Sequence, residues 1–208
     1  MDYLHFKLIL AITLLKDCWP LLFSGIMVSI YMKIDKVMIQ TLLGSIYNGY
    51  YSAVLKLSEI WFVIGVVICN SVFPAIINSR TKSIELYYNR LYKLFKLLVV
   101  LAYTISFITS LFSKQIIEKI YTRSYLETST VLSIHVFSLI FVYLGVASGR
   151  WLIAENKTKL NIYRTFLGLI INILLNYFLI KTHGIKGAAY ATLIAYIVAY
   201  YPIRYIPI

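Results

Sequence analysis

The stretch from Trp19 to Thr41 constrains the fold most, because it stays apolar while it carries Lys33, Asp35 and Lys36. Apolar residues continue beyond these charges, so the helix is not expected to stop at them. In a bilayer, each central charge costs roughly 2.5 to 3.5 kcal/mol, whereas each Leu, Ile, Phe or Val returns only about 0.3 to 0.6 kcal/mol. We therefore expect the charges to lie near the interface, to pair, or to face a hydrated interior shared with other helices. The alternative is a pair of lysines that snorkel from a helix end.

The rest of the chain has the same apolar character. Of its 208 residues, 61% are hydrophobic and 13% are charged, whereas soluble domains are about half apolar and a quarter charged. This composition indicates a polytopic membrane protein, and at roughly 20 apolar residues per span the length allows about six helices. The net charge of +12 favours anionic lipids and anionic lipid-linked substrates as partners, and no nucleic acid, because Lys and Arg lie mostly between apolar runs.

We predict an all-α fold of six transmembrane helices in one domain, residues 1–208, without a linker. The spans are predicted at about 18–41, 50–77, 94–112, 130–154, 162–180 and 185–201. Leu4 to Leu15 is predicted to be an interfacial amphipathic lead-in. A short surface helix is predicted around Gln115 to Tyr121. Polar turns that contain Gly and Asn connect several of the spans.

Lysine and arginine divide unequally between the predicted loops. If the N-terminus is cytoplasmic, the inner segments hold Lys7, Lys16, Arg80, Lys82, Arg90, Lys93, Lys96, Lys157, Lys159 and Arg204. The outer loops then hold Lys114, Lys119, Arg123, Lys181 and Lys186. This bias predicts that both termini are cytoplasmic. Cys18 and Cys69 both fall in or beside spans, so the sequence predicts neither a disulfide framework nor a metal cluster.

Ionisable residues inside the second span form a second group of candidates. Its polar face is predicted to hold Ser45, Gly49, Ser52, Lys56, Glu59 and Asn70. Because Lys56 and Glu59 are three residues apart, we predict that they pair, either as a structural ion pair or as part of a hydrated cavity wall. Asp35 could also pair with Lys56 across the two helices, which would leave Lys33 or Lys36 free for a ligand.

The fourth and fifth spans carry further polar residues. Gly145 and Gly149 form a small-xxx-small pair that lets helices approach closely. Arg150 could hold a lipid phosphate or merely snorkel, and His135 is predicted to be a hydrogen-bonded packing residue. In the fifth span the polar ladder is Asn161, Arg164, Gly168, Asn172 and Asn176, which we predict joins helices through hydrogen bonds.

The sequence contains no phosphate-cradling loop, no zinc motif and no paired catalytic carboxylates. Ser148 follows Ala147 and precedes Gly149, but His135 lies on the same predicted helix and His183 lies in a loop. We therefore predict no enzymatic activity, no cofactor and no bound metal.

Seven sequence blocks in a fixed order carry a family resemblance: Trp19–Gly25, Tyr31–Met38, Gly49–Ala53, Leu57–Trp61, Ala147–Asn156, Asn172–Asn176 and Gly184–Thr192. Together they resemble the oligosaccharide flippases of the polysaccharide biosynthesis family, in the multidrug/oligosaccharidyl-lipid/polysaccharide exporter (MOP) superfamily. The resemblance covers nearly the whole chain. It departs at Lys181-Thr182-His183, where the family usually has a proline-containing turn, so the shape of that loop is open.

The resemblance implies the C-terminal lobe of a MATE-like transporter built from two six-helix lobes. The other half would be an N-terminal lobe or a second copy, because one lobe cannot enclose a cavity between two repeats. It further implies transport of undecaprenyl-pyrophosphate-linked oligosaccharide units across the bacterial cytoplasmic (inner) membrane, for O-antigen lipopolysaccharide or capsule. Membrane lipids and a polysaccharide polymerase complex would be its other partners.

On this interpretation, lysines neutralise the pyrophosphate, while the carboxylates orient them or carry a coupling ion. The predicted substrate-binding residues are Lys33, Asp35, Lys36, Lys56, Glu59 and Arg150. Two alternatives remain. In a cation-coupled multidrug exporter, Lys33→Ala and Lys36→Ala would leave transport intact. A non-transporting accessory subunit of a polysaccharide assembly complex would tolerate neutralisation of every intramembrane charge.

Overall fold

The computed structural model describes the backbone from residue 2 to residue 200 and the side chains from Trp19 onward. Within this range the chain is helical, without a strand, and the predicted all-α class is confirmed. The helices are α1 Asp2–Leu42, α2 Ser45–Glu59, α3 Phe62–Ser79, α4 Ile84–Leu111, α5 Ser113–Ile120, α6 Ser129–His135, α7 Ser138–Ala154 and α8 Thr158–Tyr200, with a 3₁₀ turn at Arg123–Thr128. Arg204, the predicted end of the last span at residue 201, and the side chains of Lys7, Lys16 and Cys18 lie outside the described residues.

Helix α1 joins the predicted lead-in and the predicted first span in one helix. Its 41 residues would measure about 60 Å, twice the thickness of about 30 Å of a bilayer core. The helix ends where the amides of Leu43 and Gly44 both donate to the carbonyl of Ile39, at 2.9 and 3.2 Å. Gly44 has a φ of 96°, a conformation that costs glycine little because it lacks a Cβ atom.

The predicted second span is broken in the structure. Helix α2 ends at Glu59 and α3 begins at Phe62, while Pro74 lies inside α3. The carbonyl of Trp61, at the break, accepts a hydrogen bond of 2.7 Å from the hydroxyl of Tyr143 on α7. The amide of Ile64 also donates to this carbonyl, at 3.2 Å, so a local backbone bond and a side chain of α7 together satisfy it.

The predicted fourth span is also interrupted, because α6 and α7 meet at an angle of 41°. Hydroxyl groups satisfy the carbonyls at this bend. Ser106 donates to the carbonyl of Val136 at 2.9 Å, and Ser138 donates to the carbonyl of His135 at 2.6 Å. The surface helix predicted near Gln115 corresponds to α5.

Helix α8 contains the predicted fifth and sixth spans. Gly184 interrupts it with φ 60° and ψ −142°, which are not helical values. Gly187 then lies so close to the backbone of Leu179 that a side chain at residue 187 would overlap it. This contact indicates that the chain reverses at Gly184, within the predicted turn.

Three segments between residues 19 and 200 are long and apolar enough to cross a membrane: Ser45–Ser79, Ile84–Leu111 and Thr158–Tyr200. The bent pair α6–α7 makes a fourth if it is one span. The predicted count of six spans is therefore not matched exactly. The outer face of α4 exposes large apolar side chains, among them Val100, Tyr103, Phe107 and Leu111, as expected of a helix that contacts lipid.

The interior contains two apolar clusters. One joins α3, α4 and α7 around Tyr87, Leu98, Tyr143 and Trp151. The other joins α1, α2, α6 and α8 around Ile39, Tyr51, Leu132 and Ile180. Cys69 is a free, buried cysteine in the first cluster. The polar residues described next lie at the contacts between these helices.

Candidate functional site

Asp35 is a buried carboxylate that joins α1, α2 and both halves of α8. Its side chain is 1% exposed. One oxygen, Oδ2, accepts hydrogen bonds from the hydroxyls of Tyr51 at 3.0 Å and Thr192 at 2.6 Å. The other oxygen, Oδ1, accepts a bond of 3.1 Å from the amide nitrogen of Asn176. Three neutral donors therefore hold this carboxylate.

Helical spacing explains why Asp35 faces inward while its neighbours do not. Tyr31, Asp35 and Ile39 recur every four residues, and all three are buried. Residues four apart lie on one face of a helix, so this face of α1 packs against the bundle. Lys33 lies on another face and is exposed, while Lys36 is half-buried.

Two buried asparagines of α8 extend the polar cluster around Asp35. The amide nitrogen of Asn176 also donates to Oδ1 of Asn172, at 3.1 Å. The Oδ1 atom of Asn176 and the Nδ2 atom of Asn172 are buried without a hydrogen-bond partner among the described residues. Carboxylate, amide and hydroxyl oxygens are ligands for hard monovalent or divalent cations. Over the same residues, no group of three or more His, Cys, Asp or Glu side chains is placed to hold a metal ion.

Both predicted ion pairs of Lys56 are absent. Between residues 19 and 200, the ion pair within 4 Å is Arg80–Glu155, at 3.1 Å. Glu59 is half-buried and Lys56 is exposed. The buried face of α2 is formed by Tyr51, Val54, Leu55 and Ser58, which turns Lys56 outward and away from Asp35. Neutral hydrogen-bond donors, and not the Lys56 ammonium, contact the carboxylate of Asp35.

Lys33 lines a groove of about 880 Å³ along the exposed face of α1. The other lining residues are Leu21, Leu22, Gly25, Ile26, Ser29, Ile30, Ile34 and Val37. The hydroxyl of Ser29 donates to the carbonyl of Gly25 in its own helix, at 2.9 Å. Among the described lining residues, Lys33 is the one charged group. A ligand in contact with these residues would meet a single cation beside apolar side chains.

Arg150 does not stand free. Its guanidinium donates to the side-chain oxygen of Asn70, and this contact joins α7 to α3. Both residues are exposed. The sequence suggested two roles for Arg150, binding a lipid phosphate or snorkelling. The structure adds a third feature, a side-chain partner on a neighbouring helix.

The predicted polar ladder of the fifth span does join helices. Arg164 is 8% exposed and donates to Oγ of Ser148 at 2.6 Å and to the carbonyl of Gly145 at 3.3 Å, both on α7. Its guanidinium also lies 5.2 Å from the ring centre of Tyr200. A Cβ atom at Gly149 would lie 3.4 Å from Nη2 of this guanidinium, an ordinary van der Waals contact.

His135 is buried and lies 2.8 Å from the hydroxyl of Ser58, through Nδ1. This agrees with its predicted role as a hydrogen-bonded packing residue. The predicted site did not include Tyr51 and Thr192, which are partners of Asp35. For Thr192, 157 residues away, only a three-dimensional arrangement could reveal the contact.

Long apolar helices that enclose a buried carboxylate are the arrangement of a multi-pass membrane protein. A family model described as "Lipid II flippase MurJ" matches residues 11–206. The chain belongs to this flippase family.

The chain is also similar to a capsular protein in sequence and to a solved transporter in fold. The "Capsular polysaccharide biosynthesis protein CapF" of Staphylococcus aureus is 24% identical over 185 residues, which cover 86% of this chain and 46% of that protein. A MOP superfamily transporter from Pyrococcus furiosus has a similar fold, with a TM-score of 0.74 and 18% identity over 89% of this chain and 42% of the other. The chain thus spans about half the length of the relatives that it matches, and the predicted superfamily is confirmed.

Proposed function

We propose that this chain is one lobe of a flippase for lipid-linked oligosaccharides. Its cargo would be an undecaprenyl-pyrophosphate-linked repeat unit, moved across the bacterial cytoplasmic membrane for capsule or O-antigen synthesis. The capsular relative favours a surface-polysaccharide precursor. The other lobe would be an N-terminal half or a second copy, and a polysaccharide polymerase complex would receive the product.

The observation that carries the proposal is the position of Lys33 in the apolar groove of α1. A lipid-linked pyrophosphate combines an anionic headgroup with a long hydrocarbon chain. A lysine ammonium can bind the phosphate as a compact point charge, while the groove wall accommodates apolar atoms. Lys36, half-buried one turn further along the same helix, adds a second cation near the headgroup. Transport of this kind requires no covalent chemistry, so the proposed role is not enzymatic.

The Asp35 cluster is proposed to carry the coupling ion. An ionised carboxylate that is buried without a nearby cation is costly unless a mobile cation or a proton neutralises it. Three neutral donors surround Asp35, and the buried Oδ1 of Asn176 lacks a partner among the described residues. A monovalent cation or a proton at this position would change how α1 and α8 are held together, which is how ion binding could bias alternating access.

The test is complementation of a flippase-null strain with the complete reading frame that contains this chain, scored for surface polysaccharide at equal membrane abundance. We expect the double variant Lys33→Ala/Lys36→Ala to lower surface polysaccharide by about tenfold or more, because contacts to charged groups contribute roughly 1.5 to 3 kcal/mol each. Lys159→Ala, which removes an exposed lysine at the start of α8, is the matched control and should retain normal levels.

The outcomes separate the competing functions. Normal polysaccharide with the double lysine variant, but none with Asp35→Asn, would refute the role of the two lysines and leave Asp35 as the group that transport needs. No polysaccharide with the unaltered chain, at normal abundance, would point to a cation-coupled multidrug exporter lobe. Normal polysaccharide when Lys33, Lys36, Asp35 and Glu59 are all neutralised would point to an accessory subunit and refute transport by this site. Loss with the lysine variant and with Asp35→Asn, at normal abundance, supports the proposed flippase.

A further inference from the structure

A second cleft lies between α3 and α4, on helices that do not form the α1 groove. Its volume is about 320 Å³, and its lining residues are Val72, Ala75, Ile76, Arg90, Lys93, Leu94 and Leu97. Ile76 and Leu94 are buried and form its floor, whereas the other five residues are exposed. The cleft therefore opens outward from the described helices.

Charge and apolarity are separated along the length of this cleft. Arg90 and Lys93 lie near the start of α4, beside the end of α3, and Leu97 lies two turns deeper, about 10 Å along the helix axis. On α3, Val72 lies on the deeper side of Ala75. The cleft thus has a cationic entrance at the polar end of the helices and an apolar interior towards the membrane centre.

The guanidinium of Arg90 is anchored at this entrance. Its Nη1 atom donates to the carbonyl of Ala75, at 3.1 Å. A guanidinium has five N–H donors, and this is the one hydrogen bond of the Arg90 side chain among the described residues. The remaining donors can bind a planar, multi-oxygen anion such as phosphate.

The surrounding charges also favour an anion. Between residues 79 and 97 the charged residues are Arg80, Lys82, Glu85, Arg90, Lys93 and Lys96. Arg80 is neutralised by Glu155 of the α7–α8 turn. The other four cationic residues outnumber the one acidic residue, Glu85. This end of the α3–α4 hairpin therefore carries a net positive charge.

We infer that the α3–α4 cleft binds an anionic diacyl phospholipid of the surrounding bilayer. Its phosphate contacts Arg90 and Lys93, and one acyl chain lies along Val72, Ala75 and Leu97. Basic pockets between transmembrane helices bind anionic lipid headgroups for the same electrostatic reason. The site depends on the membrane setting of the chain and not on the proposed cargo, so each can fail without the other.

The test is native mass spectrometry of the delipidated full chain in detergent, titrated with dioleoyl phosphatidylglycerol or dioleoyl phosphatidylcholine. We expect one phosphatidylglycerol to bind about tenfold more tightly than phosphatidylcholine, and Arg90→Gln/Lys93→Gln to abolish the difference. Lys82→Gln/Lys96→Gln, which removes two exposed lysines at the same end of the hairpin, should leave the preference within twofold. An equal loss in both double variants would mean diffuse attraction and would overturn the site.

A second variant tests the apolar part without removing charge. Ala75→Phe fills the cleft and should weaken phosphatidylglycerol binding, whereas Val67→Phe, at an exposed position of α3 outside the cleft, should not. Unchanged binding by Ala75→Phe would overturn the proposal even if the charge variants cannot be purified.

Displacement of phosphatidylglycerol by inorganic phosphate alone would refute the acyl-chain contact. Displacement by undecaprenyl phosphate at a lower concentration than by phosphatidylglycerol would reassign the cleft to the transported lipid.

Discussion

At the scale of single residues, Asp35 is the centre of the polar interior. Burying an ionised carboxylate costs several kcal/mol unless hydrogen bonds or a counter-charge compensate. Here the protein supplies Tyr51, Asn176 and Thr192 as donors, and no described cationic side chain lies within 4 Å of Asp35. Because two of these donors lie on α8, the hydrogen bonds of Asp35 hold α1 against α8. Variants of the donors should therefore change the free energy of unfolding.

Thr192→Val tests this contribution with a side chain of nearly the same shape. The variant removes the 2.6 Å bond to Oδ2 of Asp35 and leaves Tyr51 to satisfy that oxygen alone. A hydrogen bond to a charged group contributes about 1.5 to 3 kcal/mol, and we expect a destabilisation in this range, measured as thermal unfolding in detergent. The control is Thr182→Val, because Thr182 is exposed and bonds only to carbonyls of its own helix and to His183 among the described residues. Equal stability of the two variants would contradict an ionised Asp35 that depends on its hydrogen-bond donors.

At the scale of helices, the apolar runs predicted where helices form but not where they break. At the breaks after Glu59 and at Val136, backbone carbonyls accept hydrogen bonds from hydroxyls of other helices, those of Tyr143 and Ser106. Local sequence carries no signal for such partners. The long helices, the surface helix α5 and the turn at Gly184 were predictable because hydrophobic patterning and glycine act locally.

The same distinction applies to the candidate site. The opposite orientations of Lys33 and Asp35 follow from the helical period and were predictable. The pairing of Lys56 was wrong, because an attraction between opposite charges was assumed where neutral donors of α8 reach Asp35 first. Contacts between residues far apart in sequence, such as Asp35 with Thr192, require the tertiary arrangement.

Gly65→Ala tests the close approach of α3 and α7. A Cβ atom at residue 65 would lie 2.5 Å from Cδ1 of the Tyr143 ring. The ring cannot easily move away, because its hydroxyl is bound to the carbonyl of Trp61. We expect a loss of about 1 to 3 kcal/mol from overpacking, measured by thermal or denaturant unfolding.

Two variants complete this experiment. Gly25→Ala in α1 has open space around the new methyl group and should be neutral or slightly stabilising, because alanine favours a helix over glycine. Tyr143→Leu in the Gly65→Ala background should recover part of the loss by removing the pinned ring. Full stability of Gly65→Ala alone would mean that the two helices separate without cost.

The reversal of α8 depends on the backbone of Gly184. Its φ of 60° and ψ of −142° lie in a region that residues with a Cβ atom avoid. Gly184→Ala should destabilise the protein by about 1 to 3 kcal/mol, although no atom lies within 4 Å of the added methyl group. Gly49→Ala, which also has open space but lies within helix α2, is the control in the same unfolding measurement. A loss as large in Gly49→Ala would show that the cost is not specific to the turn.

At the scale of the whole molecule, α4 is long enough to place the two polar segments that flank it on opposite sides of the membrane. Its 28 residues extend for about 42 Å, more than the thickness of about 30 Å of a bilayer core. The turn that contains Thr81 precedes this helix, and the 3₁₀ segment that contains Ser124 follows it after α5. Both residues are exposed, so each can report on one side.

The distribution of lysine and arginine predicts that Thr81 faces the cytoplasm and Ser124 the outside. Single cysteines at these positions, in a background with Cys18→Ser and Cys69→Ala, would be treated with a membrane-impermeant maleimide. We expect Ser124→Cys to be labelled in intact cells and Thr81→Cys only after permeabilisation, because α4 separates the two sites by a full bilayer. The reverse pattern would invert the orientation and place the cationic entrance of the α3–α4 cleft in the outer leaflet. Labelling of both sites in intact cells would mean that α4 does not span the membrane.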